Sequence, residues 1–322
     1  MRLPINEKLQ SSILFVFGSA RGGTTYLNDL LFKWFDFSMG PEGTFILPLY
    51  RQLSRFGDLS DPESRHQLAK KISKSQMLEI IRKRYPHELQ IDIKPNDILS
   101  RTLEPTYAGM IMATFACLAE SWNKQRIGIK NPGFWKDLET LHHLFGDKAK
   151  YISIIRDGRD VFLSLQTVPW GKQSAYIAAK EWAKMAEETY SFKKTLGNSC
   201  LLLLTYEELL QSPADTIASI EYFLGLPLDD DSRSAFLKEA NENPLRSNYS
   251  KWRKKMSPSD KYVFEAIAGA QLRALGYETE FKNPALSWHR KLAFQIWEWL
   301  RLIWINIYHM RYRLPKASKK KR

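Results

Sequence analysis

Residues 13–35 read ILFVFGSARGGTTYLNDLLFKWF. The apolar run from Ile13 to Phe17 does not alternate with polar residues, the pattern of a parallel strand covered on both faces. From Thr24 onward the apolar positions Leu27, Leu30 and Leu31 recur at helical spacing. Between strand and helix lies Gly18, Ser19, Ala20, Arg21, Gly22 and Gly23. Glycines let the backbone turn tightly with its amides pointing inward, and the helix N-terminus adds partial positive charge, so this junction can hold an anion. Thr24 and Thr25 add hydroxyl donors or cap the helix.

Outward from this unit, short apolar runs followed by helical stretches recur at Arg126 to Lys130, Tyr151 to Arg156 and Leu201 to Thr205. Their alternation predicts an α/β fold with a P-loop-like central parallel sheet and helices on both faces. A further short strand is expected at Phe37 to Met39. Residues 48–124 are helical in pattern and read as a helical insertion, which either forms an acceptor pocket or serves packing. No linker or fixed-period repeat divides the chain. One domain over residues 1–285 is therefore expected, followed by an amphipathic aromatic helix with a polybasic tail over 286–322.

The 322 residues carry a formal net charge of +13. That excess suits an anionic partner, whether nucleotide, acidic glycan, nucleic acid or membrane surface. Cys117 and Cys200 stand in apolar surroundings with no Cys or His at metal-ligand spacing, so they are expected to be buried thiols, with no disulfide framework and no metal site. The first residues, MRLPINEKLQSS, lack the apolar core of a secretory signal and the long run of a membrane anchor. A cytoplasmic protein is expected. From Leu286 to Met310 a polar stripe of Lys291, Gln295, Glu298, Arg301 and His309 falls on one side of a helix otherwise rich in Trp288, Trp297, Trp299 and Trp304. Followed by Arg311, Arg313, Lys316, Lys319, Lys320, Lys321 and Arg322, this suits a helix lying on the inner, anionic membrane surface. The alternative is a helix docked on the protein or on a partner subunit.

The spacing from Gly18 to Gly23 matches a Walker A loop, but Thr24 stands where that loop carries its Lys, and the basic residue is inside the loop at Arg21. A nucleotide kinase or triphosphatase needs that Lys for its β- and γ-phosphates, so this alternative weakens. A second anion site is suggested by KYISIIRDGRDVFLSL, residues 150–165, where Arg156 ends a strand and Ser164 lies two turns into the next helix. Arg binds phosphate oxygens with a planar fork.

Together these two segments resemble the 5′-phosphosulfate and 3′-phosphate sites of sulfotransferases that use 3′-phosphoadenosine 5′-phosphosulfate (PAPS). The resemblance extends to GIKNP (128–132), LLLLTYEELLQSPADTIASIEYFLGLPL (201–228), YSKWRKKMSP (249–258) and LRALGY (272–277), in the family's order. It implies that Arg21, Gly22, Gly23, Thr24 and Thr25 hold the 5′-phosphosulfate and that Arg156 and Ser164 hold the 3′-phosphate. Tyr206, Ser247 and Lys251 are implied as further donor contacts.

The chemistry then requires a base for the acceptor proton, and the six histidines all lie outside the matching motifs. Glu42, in SMGPEGTF, lies 21 residues beyond Arg21 and is expected at the carboxyl edge of the sheet, where open α/β sheets bind ligands. In the tyrosylprotein and some carbohydrate sulfotransferases a Glu at the matching position is the base, and RDGR at Arg156 to Arg159 is similar to the tyrosylprotein group. Thr44 departs from that group, which carries an Arg there, so peptide tyrosine is not the expected acceptor. Lys130, at a strand end, is placed to reach the sulfonate or the leaving oxygen, beside Arg21 in its leaving-group role. The resemblance thus implies transfer of a sulfuryl group from PAPS to a hydroxyl of a glycan, glycolipid or other hydroxylated metabolite, without a metal and without nucleic acid as partner. A non-catalytic anion- or membrane-binding module on the same fold is the remaining alternative.

Overall fold

The computed structural model describes residues 5–168, 171 and 173–313. Four strands, β1 (Ile13–Gly18), β2 (Ile127–Lys130), β3 (Ala149–Ile155) and β4 (Leu201–Thr205), alternate with helices. The main ones are α1 (Thr24–Trp34), α2 (Tyr107–Ser121), α3 (Leu138–Phe145), α4 (Gly158–Leu165), α5 (Ala175–Leu196), α6 (Pro213–Leu224), α7 (Pro258–Ala274) and α8 (Trp288–Arg313).

The chain forms two compact units, residues 1–156 with 185–249, and residues 157–184 with 250–322. The boundary expected after residue 285 falls inside the second unit. The polybasic residues 316–322 lie outside the described residues.

The first unit holds the sheet, all parallel, in the order β2-β1-β3-β4. Every residue of β1 is buried. Its pleat divides them between two cores: Ile13, Phe15 and Phe17 enter one, Leu14 and Val16 the other. The first core is closed by α2, α3 and the shorter helices at Pro62–Ser73 and Gln76–Arg84. Most of α2 is buried there, so the stretch 48–124 is helical as expected and packs on the sheet. The second core takes Leu27, Leu30 and Leu31 from α1 and Ile217 and Ile220 from α6. Phe15 stacks on Tyr151 at 5.6 Å and meets Phe134 edge-on at 5.5 Å, pinning β1 to β3.

Three local expectations need correction. Phe37 to Met39 makes a single parallel bridge, Phe37 with Arg126, and is not a strand. Met39 N–H turns back to Phe37 O at 2.9 Å, which ends the pairing. Arg156 lies one residue beyond β3, which stops at Ile155. Of the two thiols, Cys117 is buried as expected and Cys200 is only half-buried.

Within the second unit, Asp157 caps α4 by accepting from Arg159 N–H at 2.9 Å. The Arg159 side chain is buried and engages Asp157 through Nε and Nη2, and Glu265 of α7 through Nη1 at 2.7 Å. Its guanidinium lies over the Trp252 ring, 3.5 Å from the centroid. Trp252 N–H in turn donates to Asp160 Oδ1 at 2.8 Å. This ties the segment around Trp252 to α4.

The same unit contains α8, in which Phe294, Glu298 and Arg301 are the protected positions among the described side chains. Phe294 stacks flat on Tyr176 of α5 at 5.3 Å. Arg301 pairs with Glu298, and the hydrogen bond to that carboxylate, with Glu298 and Glu181 charge, holds its guanidinium above the usual range. Among the described residues no helix is long and apolar enough to cross a membrane.

Candidate active site

Register decides what gathers at the carboxyl edge of the sheet. Gly18 pairs with Ile154, Lys130 with Val16, and Thr205 with Ile155. The loop after β1, Arg156 after β3 and Tyr206 after β4 therefore leave adjacent strands at nearly the same level. Strand order also reverses between β1 and β3, since β2 lies on the other side of β1. Ligands of open α/β sheets bind at such a switch point.

The loop is shaped by close approach. A Cβ on Gly18 would lie 2.2 Å from Ile154 O, and one on Gly22 would lie 2.5 Å from Ser19 Oγ. Gly23 has φ 101°, and a Cβ there would strike the Tyr206 ring at 2.4 Å. Arg21 also has positive φ, 65°, a conformation that disfavours a side-chain-bearing residue by roughly 1–2 kcal/mol. Gly22 N–H closes the turn on Ser19 O at 2.9 Å. Gly23 provides no side-chain cap to α1, so the helix end presents its amides and partial positive charge to the loop. Thr24 is buried at that end, while Thr25 and the Arg21 side chain are exposed.

Arg156 joins this loop to the rest of the site. It is buried, donates from Nη1 to Arg21 O at 3.4 Å and from Nη2 to Asn248 O at 2.8 Å. Its guanidinium stands 4.8 Å from the Tyr206 ring centroid. Tyr206 OH accepts from Asn248 Nδ2 at 3.3 Å. The ring is held by the local sequence TYEE, in which Thr205 and Glu208 form a reciprocal capping box at 3.1 Å in both directions. Burial, helped by Glu239 and Tyr206 charge and opposed by a hydrogen bond with Asn243, pushes the phenol of Tyr26, on the first turn of α1, above its ordinary value.

Beside the loop, Lys130 at the end of β2 donates to Glu42 Oε1 at 3.3 Å. Lys130 is buried, whereas the Glu42 side chain is 45% exposed and open to an incoming molecule. Gly43 N–H donates to Lys130 O at 3.0 Å, which fixes the Glu42 loop on the strand end.

Of the residues singled out by sequence, Arg21, Gly22, Gly23, Thr24, Thr25, Arg156 and Tyr206 are thus gathered on one sheet edge, as are Glu42 and Lys130. Ser247 lies exposed in the 3-10 turn Pro244–Ser247, next to Asn248. Ser164 and Lys251 belong to the second unit, on α4 and immediately before Trp252. Two residues escaped sequence reasoning. Asn248 follows Ser247, and its contacts are visible only once Arg156 and Tyr206 meet. Ser19 Oγ is buried with no hydrogen-bond partner among the described residues; its position inside the glycine loop was the available signal. No cluster of His, Cys, Asp or Glu among the described residues is placed to hold a metal ion.

A family model described as "Sulfotransferase family" matches residues 14–230. No curated protein matches. Among solved structures the chain is similar to the sulfotransferase domain of the Synechococcus PCC 7002 olefin synthase, at 19% identity and TM-score 0.51, covering 83% of this chain and 95% of that one. It is likewise similar to the sulfotransferase domain from the curacin biosynthetic pathway, at 18% identity and TM-score 0.50, covering 87% and 100%. At such identities the likeness establishes the fold, and the family match rests on the sequence.

Proposed function

The chain belongs to the sulfotransferase family, and on that premise we propose that it transfers a sulfuryl group from PAPS to a hydroxyl of a glycan, glycolipid or other hydroxylated metabolite. The observation that carries this reading is the meeting of the glycine loop with Arg156 over the Tyr206 ring. A buried loop hydroxyl awaiting a partner, Ser19 Oγ, and a cradle that a Cβ at Gly22 would fill both fit an anionic nucleotide.

When bound, the donor supplies the activated sulfuryl group and departs as 3′-phosphoadenosine 5′-phosphate (PAP). Arg21, Gly22, Gly23, Thr24 and Thr25 hold its 5′ end through loop amides, hydroxyls and the α1 N-terminus. Arg156 binds the 3′-phosphate with its fork, and Tyr206 supports the guanidinium from below. Ser247, within the same unit, is a further donor contact. Glu42 accepts the proton of the acceptor hydroxyl on an exposed carboxylate oxygen. Lys130 Nζ and the Arg21 guanidinium balance the charge that grows on the departing oxygen.

Thermal denaturation with PAP tests the donor site, since saturation at 100 times the dissociation constant adds about 2.7 kcal/mol of stability. An unchanged transition would overturn the reading. Incubation with radiolabelled PAPS against a panel of sugars, glycolipids, phenols and peptides then identifies the acceptor.

A further inference from the structure

Sequence periodicity divides α8 into a polar and an apolar side without saying which one meets the protein. In a globular protein the apolar side packs inward. Here the reverse holds. Glu298 and Arg301 are among the protected positions, while Trp288 and Trp299 are 76% and 63% exposed. Leu292, Ile296, Leu300 and Ile303 are exposed with them. At 100° per residue these six residues share one arc of about 120° with the exposed His289, diametrically opposite Phe294, Glu298 and Arg301. The acid of the helix is thereby withdrawn into an ion pair, and the apolar arc is left exposed among the described residues.

We propose that this arc of α8 lies in the interface of an anionic lipid bilayer, with the helix axis along the membrane surface. The charge of the segment selects that occupant. Residues 288–322 contain ten Lys and Arg and a single acid, Glu298, and so carry nine of the chain's thirteen net positive charges. Arg290 and Lys291 are exposed on the helix itself. A bilayer with acidic headgroups satisfies both features at once, burying Trp, Leu and Ile at the acyl boundary and holding the cations at the headgroups. A second copy of this helix would bring like charges together, and a nucleic acid would leave the apolar arc in water. Trp297 is outside the arc and lines a groove with Phe162, Gln166 and Met256. The proposal goes beyond sulfuryl transfer and does not rest on it.

The test is co-sedimentation of the full chain with vesicles of phosphatidylcholine alone or with about one third phosphatidylglycerol. Partition onto the anionic vesicles is expected to exceed that onto the neutral ones by roughly tenfold and to fall as salt is raised. The triple variant Leu292→Ser, Ile296→Ser, Trp299→Ser is expected to lose roughly tenfold in partition with an unchanged melting transition, because all three side chains are exposed. If the triple variant fails to fold, Trp299→Ser alone carries the test, with partition reduced about threefold. Equal binding by wild type and variant, no binding to anionic vesicles, or a solution dimer that the variant abolishes would each overturn the proposal.

Discussion

The guanidinium of Arg156 stands over the ring of Tyr206 at 4.8 Å, and the same ring blocks any side chain at Gly23, 2.4 Å from where its Cβ would be. One tyrosine thus sets both the anion loop and the arginine beside it. Arg156→Ala is expected to weaken PAP binding by roughly 10- to 100-fold, the loss of one or two charge-assisted hydrogen bonds. Arg156→Lys restores only part, because an ammonium lacks the fork. Isothermal titration with PAP measures both, and unchanged affinity in Arg156→Ala would remove the residue from the donor site.

Gly23→Ala combines a φ of 101° with the clash against Tyr206. It is expected to destabilise the chain by about 1–3 kcal/mol and to impair PAP binding beyond that loss. Chemical denaturation and titration, compared on one preparation, separate the two effects.

Glu42 and Lys130 stand 88 positions apart in sequence and 3.3 Å apart in space. As the proposed base, Glu42→Gln is expected to lower kcat by roughly 10²- to 10⁴-fold while leaving PAP affinity intact. Normal turnover with this variant would assign proton removal elsewhere.

Arg159 is buried between Asp157, Glu265 and the Trp252 ring. Glu265→Ala removes the Nη1 partner of that buried guanidinium, and a loss of about 3–5 kcal/mol is expected. A urea denaturation curve within 1 kcal/mol of wild type would show that the pair is dispensable, by the same scale.

Alkaline pH is expected to unfold the protein early. Burial pushes the phenols of Tyr107 and Tyr151 well above the ordinary 10.0, Tyr85 up to about 12, and the Cys117 thiol up to about 12. The unfolded chain releases these protons first, so it binds fewer than the native state, and stability is full below the unfolded values and declines as pH rises beyond about 9. Melting temperatures between pH 8 and about pH 11 check the sign. A flat profile would mean the four groups titrate alike in both states.

Much of the fold was legible because its signals are local. Strand ends differ from expectation by at most two residues, since unbroken apolar runs bounded by Gly, Pro and charge mark buried parallel strands. The strand expected at Phe37 to Met39 failed because its few residues find one bridge and no ladder. The loop from Gly18 to Thr25 was readable from its glycines, whereas Glu42 was singled out by the family resemblance.

By itself the sequence determined the strand, turn and helix at Ile13 to Phe35, the order of the motifs and the two-sided character of α8, because backbone preference and periodicity act over a few residues. Only tertiary structure decided that Lys130 meets Glu42, that Asn248 joins Arg156 to Tyr206, and that α8 turns Glu298 and Arg301 inward. Those outcomes depend on strand register and on pairing between distant segments. Periodicity divides a helix into two faces, but only its neighbours choose which one is covered.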